Sequence, residues 1–406
     1  MTRYGRSPWL DRYPPRRVPT YPTLRTPLTT DVVIVGGGLI GCATAYAFAA
    51  ARVGVVLLEA GRIGQGATGS GFGWVADTPA LNYYDLERAT GRRTARQIWQ
   101  VWRRAALGFA ALLRRLDVKC ALTSEESLQL ARQADGGAVL GREWAARHQA
   151  GIEAALQPAR QGAALAGTAI AAAIRTRGGS TLDPYRAALG LAAAARASGA
   201  LLFERSPARR IRAGRDAVEV LVGDQAITAS RVIVATGQPN ELCSTLRRRV
   251  TAQVRYHALT DPVPATIRRV LGVAGVVKRD DGVPPHYIRW VDGDRLLVAG
   301  ADGPPVAPRA RDRQLVQRTG QLMYELSTLY PDMSGLAPSH GWDAAYGRSP
   351  DTLPSIGPHR NYRRHLFAFG GSGHAVTDAY LASRILLRHH LGQSDPVDEV
   401  FSFART

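Results

Sequence analysis

Lysine is almost missing from this chain. Of its 52 lysine and arginine residues only Lys119 and Lys278 are lysine, so arginine carries the formal charge of +19. The arginines are scattered, with no long basic run and no interleaved aromatic ladder, which argues against a nucleic-acid partner. Their excess, together with that of alanine, reads as compositional bias, and charge alone does not support an anionic substrate. Cysteine is sparse as well. Cys42, Cys120 and Cys243 form no CxxC pair and no metal-ligand spacing, so neither a metal site nor a disulfide framework is expected, and a reducing cytoplasm is. Long apolar runs are absent too. The least polar region, around residues 187–203, is interrupted by Arg196, Ser198 and Gly199, which excludes a membrane span there. The N-terminus holds prolines and arginines but no apolar run, and no hydrophobic segment follows Arg16-Arg17. It therefore reads as an extended arm over residues 1–28, not as a secretory or twin-arginine signal.

What is present begins with "DVVIVGGGLIGCATAYAFAAARVGVVLLEA", residues 31–60. A β-branched run, Asp31–Val35, reads as a buried parallel strand. Gly36, Gly38 and Gly41 match GxGxxG: the first for a tight turn, the second for close approach of a pyrophosphate, the third for helix–strand packing. Leu39 and Ile40 open a helix whose Leu39, Ala43, Ala47 and Ala50 share one stripe. Its free N–H groups suit phosphate. A second strand ends at Glu59-Ala60, and the acid, 18 residues beyond Gly41, is placed to accept from ribose hydroxyls. The unit alone does not say which dinucleotide it takes. The loop "GRIGQGATGSGFGW" (61–74) offers N–H groups and hydroxyls to a longer ligand. A strand ending at Ala235-Thr236-Gly237 and a late glycine loop before a helix, "GGSGHAV" (370–376), supply further contacts. FAD is long enough to need all of them. A nicotinamide-dependent dehydrogenase fits these two loops less well.

Five ordered segments carry a resemblance. They are residues 31–73, "STLDPYRAALGLAAAARASGALLFERSPARRI", "ASRVIVATG", "YIRWVDGDRLLVAG" and "PDTLPSIGPHRNYRRHLFAFGGSGHAV". Together they resemble the FAD-dependent D-amino acid oxidase superfamily, which includes glycine oxidase, sarcosine oxidase and related amine oxidoreductases. The arm looks like that of the putrescine-derivative members. The resemblance implies an α/β protein with a Rossmann-type FAD-binding domain (29–77, 180–245 and 340–406). A discontinuous α+β substrate domain (78–179 and 246–339) would be built on an antiparallel sheet. It also implies oxidation of the C–N bond of an amine or N-substituted amino acid by hydride transfer to flavin, with the imine then hydrolysed. Oxygen or another acceptor would reoxidise the flavin. A D-amino acid dehydrogenase, a glycine-oxidase-like enzyme and a flavin-binding subunit without its own turnover are the alternatives.

Residue by residue, the resemblance assigns the nucleotide contacts to Gly36, Gly38, Gly41 and Glu59. Arg62, Gly66, Ala67, Thr68 and Gly69 would follow the cofactor toward its ring, and Ala208 would touch adenine. Gly371, Ser372, Gly373, His374, Ala375 and Val376 would line the pyrimidine side. Residues 61–74 hold no histidine and the last cysteine is Cys243, so the flavin is expected to be non-covalent. The two arginines with which the glycine-oxidase-like branch grips a carboxylate are replaced by Tyr346 and Gly373. Arg348 lies two positions on and would substitute only with a loop shift. On the strand "HYIRW", Tyr287 and Arg289 share a face. Arg289 would bind a substrate anion and Tyr287 orient the amine, the alternative for Arg289 being a rim salt bridge. Tyr256 and His257 point to opposite faces, and for His257 a packed ring is the preferred reading. His374 would donate a hydrogen bond near the ring, and Trp74 would roof the pocket.

Overall fold

A computed structural model of the chain describes residues 1–371, 373 and 375–405. The β-branched run at Asp31 becomes the end of a strand, Leu28–Val35, whose last four residues are buried. It lies between Val55–Leu58 and Gln225–Gly237, parallel to both. Leu201–Phe203 extends this sheet beyond Val55–Leu58, and Tyr362–Gly370 pairs in parallel with Gln225–Gly237. The register sets Val35 beside Leu58 on one side and Val234 on the other. Three loops, after Val35, Leu58 and Val234, therefore leave the same carboxyl edge, where open α/β sheets bind ligands.

The helix after the glycine turn spans Leu39–Ala50. The single apolar stripe expected for it is too narrow: Cys42, Ala45, Tyr46, Phe48 and Ala49 are buried as well, and Ala50 is exposed. The cause is packing on two sides, against the helices Pro184–Ala197 and Ala375–Leu391, which alanine permits.

A second sheet of nine strands runs in the order Arg3–Tyr4, Pro338–Arg348, Thr251–Thr260, Arg295–Gly303, Tyr287–Val291, Val276–Arg279, Glu126–Ala131, Ala172–Thr176, Ala155–Pro158. It is not wholly antiparallel. Arg3–Tyr4 runs parallel to Pro338–Arg348, and Val276–Arg279 parallel to Glu126–Ala131. Residues 340–348, expected in the nucleotide-binding part, belong instead to this sheet, because Pro338–Arg348 pairs along its length with Thr251–Thr260. Period-2 alternation divides its faces. Tyr256, Ile288, Trp290 and Val298 pack on the helix Pro308–Leu329 through Leu315, Leu322 and Leu326. Each such side chain contributes about 1.5–3 kcal/mol by leaving water. Tyr287, Leu297, Ala299 and Trp342 face the other way, into the core shared with the first sheet.

The first 27 residues are held down along their length. Arg3 and Tyr4 pair with His340 and Gly341. Ser7 caps a one-turn helix, Pro8–Asp11, that buries Trp9. Glu204 accepts from the Tyr21 and Ile63 N–H groups, and Ser206 Oγ accepts from Leu24 N–H. Among the described residues no helix is long and apolar enough to cross a membrane. All three cysteines are free and buried, and burial pushes the Cys42 thiol well above its ordinary range.

Candidate active site

At the carboxyl edge of the first sheet the three motif glycines do different work. Gly36 has φ +114°, and a Cβ there would lie 2.6 Å from the Ala235 carbonyl oxygen. It lets two strand ends approach. A Cβ on Gly41 would lie 1.8 Å from the Gly36 carbonyl, so Gly41 seats the helix on the turn. At Gly38 a Cβ would meet only Thr68 Oγ1, at 3.1 Å. Gly38 thus opens onto a groove, at the N-terminus of a helix that has no side-chain cap of its own. Thr68 Oγ1 accepts from Leu39 N–H at 2.9 Å. Glu59 joins turn and strand: its two oxygens accept from Gly37 and Gly61 N–H groups, each at 2.7 Å. A carboxylate keeps further lone pairs for hydroxyls.

The groove runs along the carboxyl edge of the first sheet. Of the expected residues, Gly36, Gly38, Leu39, Ile40, Glu59, Ala60, Gly66, Ala67, Thr68, Ala208, Ala235, Thr236 and Gly237 line it. Val35, Leu58, Gly64, Pro207, Asn240 and Leu242 do so as well and were not anticipated. Gly41, Arg62 and Gly69 are not on its wall. Gly41 is occupied in packing, Arg62 is half-buried outside the groove, and Gly69 sits under Leu10 of the arm.

A second, smaller cavity shares Leu39, Ala67 and Thr68 with the groove, so the two adjoin. Phe72, Gly73 and Trp74 wall it on one side, Gly373 and Val376 on another, and Tyr287 and Arg255 from the second sheet. Tyr287 packs at a tilt against Phe72 and Trp74, with ring centroids 6.1 and 5.9 Å apart. Ser372 and His374 lie outside the described residues, as does the Ala375 side chain. Gly371 is buried, its N–H donating to Ser349 Oγ at 3.1 Å.

Arg255 was missed by the sequence reading, which weighed only its neighbours Tyr256 and His257. The available signal was an arginine within the strand Thr251–Thr260, two residues from His257 and hence on its face. Its guanidinium lies over the Tyr287 ring at 4.7 Å and the Tyr346 ring at 5.1 Å. Nε and Nη2 donate to Asp302 at 2.8–3.2 Å. Tyr346 Oη donates to the same carboxylate at 2.6 Å. Burial opposes charge on Arg255, but Asp302 and Tyr287 outweigh it and hold its pKa above the ordinary value. Burial likewise opposes the Asp302 carboxylate, and Arg255 pulls its pKa below 3.8 all the same. A Cβ at Gly373 would stand 3.2 Å from Arg255 Nη1 and 3.4 Å from the Tyr346 ring. Glycine at position 373 leaves room for the Arg255 guanidinium.

The structure places Arg289 elsewhere than the sequence reading did. It shares a sheet face with Tyr287, yet Nε donates to Phe72 O at 3.0 Å and Nη2 to Leu182 O at 3.2 Å, behind the cavity wall. Burial lowers its pKa to about 10. Arg348 is exposed at a strand end and lines neither space. His257 is fully buried, stacked on Trp342 with centroids 5.0 Å apart. Burial, then the Arg255 charge, push it down to about 3, so it stays neutral.

A family model described as FAD dependent oxidoreductase matches residues 31–388. The gamma-glutamylputrescine oxidoreductase of Escherichia coli K12 is 25% identical over 389 residues, covering 93% of this chain and 87% of its own length. Glycine oxidase of Geobacillus kaustophilus HTA426 is 25% identical over 357 residues, covering 84% and 87%. The crystal structure of glycine oxidase from Geobacillus kaustophilus superposes with a TM-score of 0.76 at 20% identity, over 93% of this chain and 99% of that one.

Proposed function

The chain belongs to the FAD dependent oxidoreductase family, and from that premise we propose that it oxidises the C–N bond of an amine or N-substituted amino acid in the cavity beside Arg255. The observation that carries this is the pair of adjoining spaces. Its groove suits a dinucleotide: a side-chain-free Gly38 at a helix N-terminus, and Glu59 at the end of the second strand. Its far cavity is mostly apolar, with one buried cation and one tyrosine. FAD bound along these spaces would supply the hydride acceptor. We take the flavin to be held non-covalently, because residues 61–74 hold no histidine and the last cysteine is Cys243. The three free, buried cysteines support a reducing cytoplasm.

The chain's own groups then have simple tasks. Arg255, fixed by Asp302, offers a guanidinium to an anionic substituent. Burial among the apolar walls disfavours the charged form of an amine, which loses its proton more readily, as oxidation requires. Tyr287 orients the nitrogen, and the walls of Phe72, Trp74 and Val376 exclude water. The names of the relatives span an amine derivative and an amino acid, which is the class proposed. A second reading, an amine without a carboxylate, is favoured by Asp302, which already neutralises Arg255. We further divide the chain between the two sheets, with the second beginning its last strand at Pro338.

Anaerobic mixing with secondary amines, polyamine derivatives and D- and L-amino acids, followed by flavin absorbance, tests the reading. Bleaching by amines is expected. Arg255→Lys should raise KM for carboxylated amines more than for neutral ones; equal effects on both would favour the second reading. A yellow protein that none of them bleaches would favour a flavin-binding subunit.

A further inference from the structure

Five consecutive carbonyls, Gly69 to Gly73, are each met by a donor from elsewhere in the chain. Ser7 Oγ donates to Gly69 O. Trp342 Nε1 donates to Ser70 O at 2.9 Å, and Trp9 Nε1 to Gly71 O at 2.9 Å. Arg289 Nε donates to Phe72 O at 3.0 Å, and the Leu182 N–H to Gly73 O at 2.9 Å. In a planar trans peptide the C=O and the following N–H point in opposite directions. Holding Gly71 O toward Trp9 and Phe72 O toward Arg289 therefore turns the Phe72 and Gly73 N–H groups the other way. Ser70 and Gly71 N–H groups are met by Ala67 and Thr68 carbonyls at 3.3 and 3.1 Å. Among the described residues nothing accepts from Phe72 or Gly73 N–H. Both residues are buried and both line the smaller cavity. Buried N–H groups without a partner are rare, and two in succession form an anion-binding concavity.

We propose that the N-terminal arm is a working part of the redox site. Trp9 and Arg289, supported by Ser7 and Trp342, hold the Phe72 and Gly73 N–H groups as a donor pair against the edge of FAD that gains negative charge on reduction. This rests on the reading of the adjoining spaces as the FAD site and adds a role for the arm. Trp9 and Arg289 touch the loop and not the cavity, so they are positioning residues. They also brace each other: the guanidinium lies 5.3 Å from the Trp9 ring centroid and 5.5 Å from that of Phe72. Donors fixed before charge develops need no reorganisation when it does, which is why the clamp favours the reduced state.

The test uses the full-length holoenzyme. Trp9→Phe keeps a ring over Arg289 and deletes only the indole donor; Ser7→Ala is a milder second variant should Trp9→Phe fold poorly. Midpoint potential is read by anaerobic titration and FAD affinity by fluorescence. Both variants should shift the potential negative, and Trp9→Phe should raise the FAD dissociation constant about tenfold, as expected for one buried hydrogen bond. Glu59→Gln, at the other end of the site, should weaken FAD binding and leave the potential in place. If Trp9→Phe and Ser7→Ala lower only the melting temperature, with potential and visible spectrum unmoved, the arm is a brace and the proposal fails. If Glu59→Gln also leaves FAD affinity unchanged, the placement of FAD in the groove fails first, and the clamp with it.

Discussion

At the glycine turn, Glu59 reaches back 22 residues to Gly37, and Thr68 reaches 29 residues to Leu39. At the aromatic end of the same site, Phe72 is held from Arg289 across 217 positions and Ser70 from Trp342 across 272. One end organises itself from a single stretch of chain. The other is set from outside, by the arm and by two strands of the second sheet. The lesson is that a cofactor signature marks where a ligand is gripped locally. It is silent about where the ligand is positioned by topology.

Substitutions can break or sharpen that contrast. The largest effect is expected at the outside-held end: Arg255→Met leaves Asp302 buried beside an apolar chain and should cost about 3–5 kcal/mol of stability in denaturant titration. Arg255→Met combined with Asp302→Leu should recover much of it; no recovery would mean the pair does not act as a unit. Next, at the self-held end, Gly41→Ala should cost about 1–3 kcal/mol, because its Cβ would lie 1.8 Å from the Gly36 carbonyl. Gly38→Ala, with only Thr68 Oγ1 at 3.1 Å, should keep stability within about 0.5 kcal/mol while lowering bound FAD. Equal losses of stability would erase the distinction drawn between these two glycines. At the outside-held end, Trp342→Phe should cost about 1 kcal/mol by leaving Ser70 O unsatisfied, measured as a thermal shift in the holoenzyme.

The smallest effect is one of pH. The folded pKa of Asp302 is depressed below 3.8 by Arg255, although burial works the other way. Its contribution is therefore fully present above the unfolded value and disappears as pH falls through the folded one. The stability difference between wild type and Asp302→Asn should be flat from about pH 5 to 8 and shrink below about pH 4. A difference that grew on acidification would contradict the ion pair.

The nucleotide end was legible because its rules are short-range: Gly36, Gly38, Gly41 and Glu59 sit at spacings fixed by one strand, one turn and one helix. The strand near Tyr287 was legible too, since alternation sets which side chains share a face. It was not legible which of them would be free to meet a ligand. Arg289 and Tyr287 share a face, yet only Tyr287 lines the cavity, because loop carbonyls from residues 72 and 182 take the guanidinium first. Arg255 escaped notice because its importance comes from Asp302 and Tyr346, brought together by register between strands that are distant in sequence. The assignment of residues 340–348 failed for the same reason: strand pairing, not local composition, decides which sheet they join.

The pairing of Arg3 and Tyr4 with His340 and Gly341 also sets an order of assembly. During synthesis the arm emerges first, but its partner strand is made near the end. Within residues 28–58 the two strands and the helix between them meet at short range, although that helix is completed by packing on residues 184–197 and 375–391. The loop at 69–73 must wait for both Arg289 and Trp342. Closing so long a loop is slow in a contact-order sense even though its entropy grows only gently with length. The ring-facing wall is therefore complete only once the strands that carry Arg289 and Trp342 are in place.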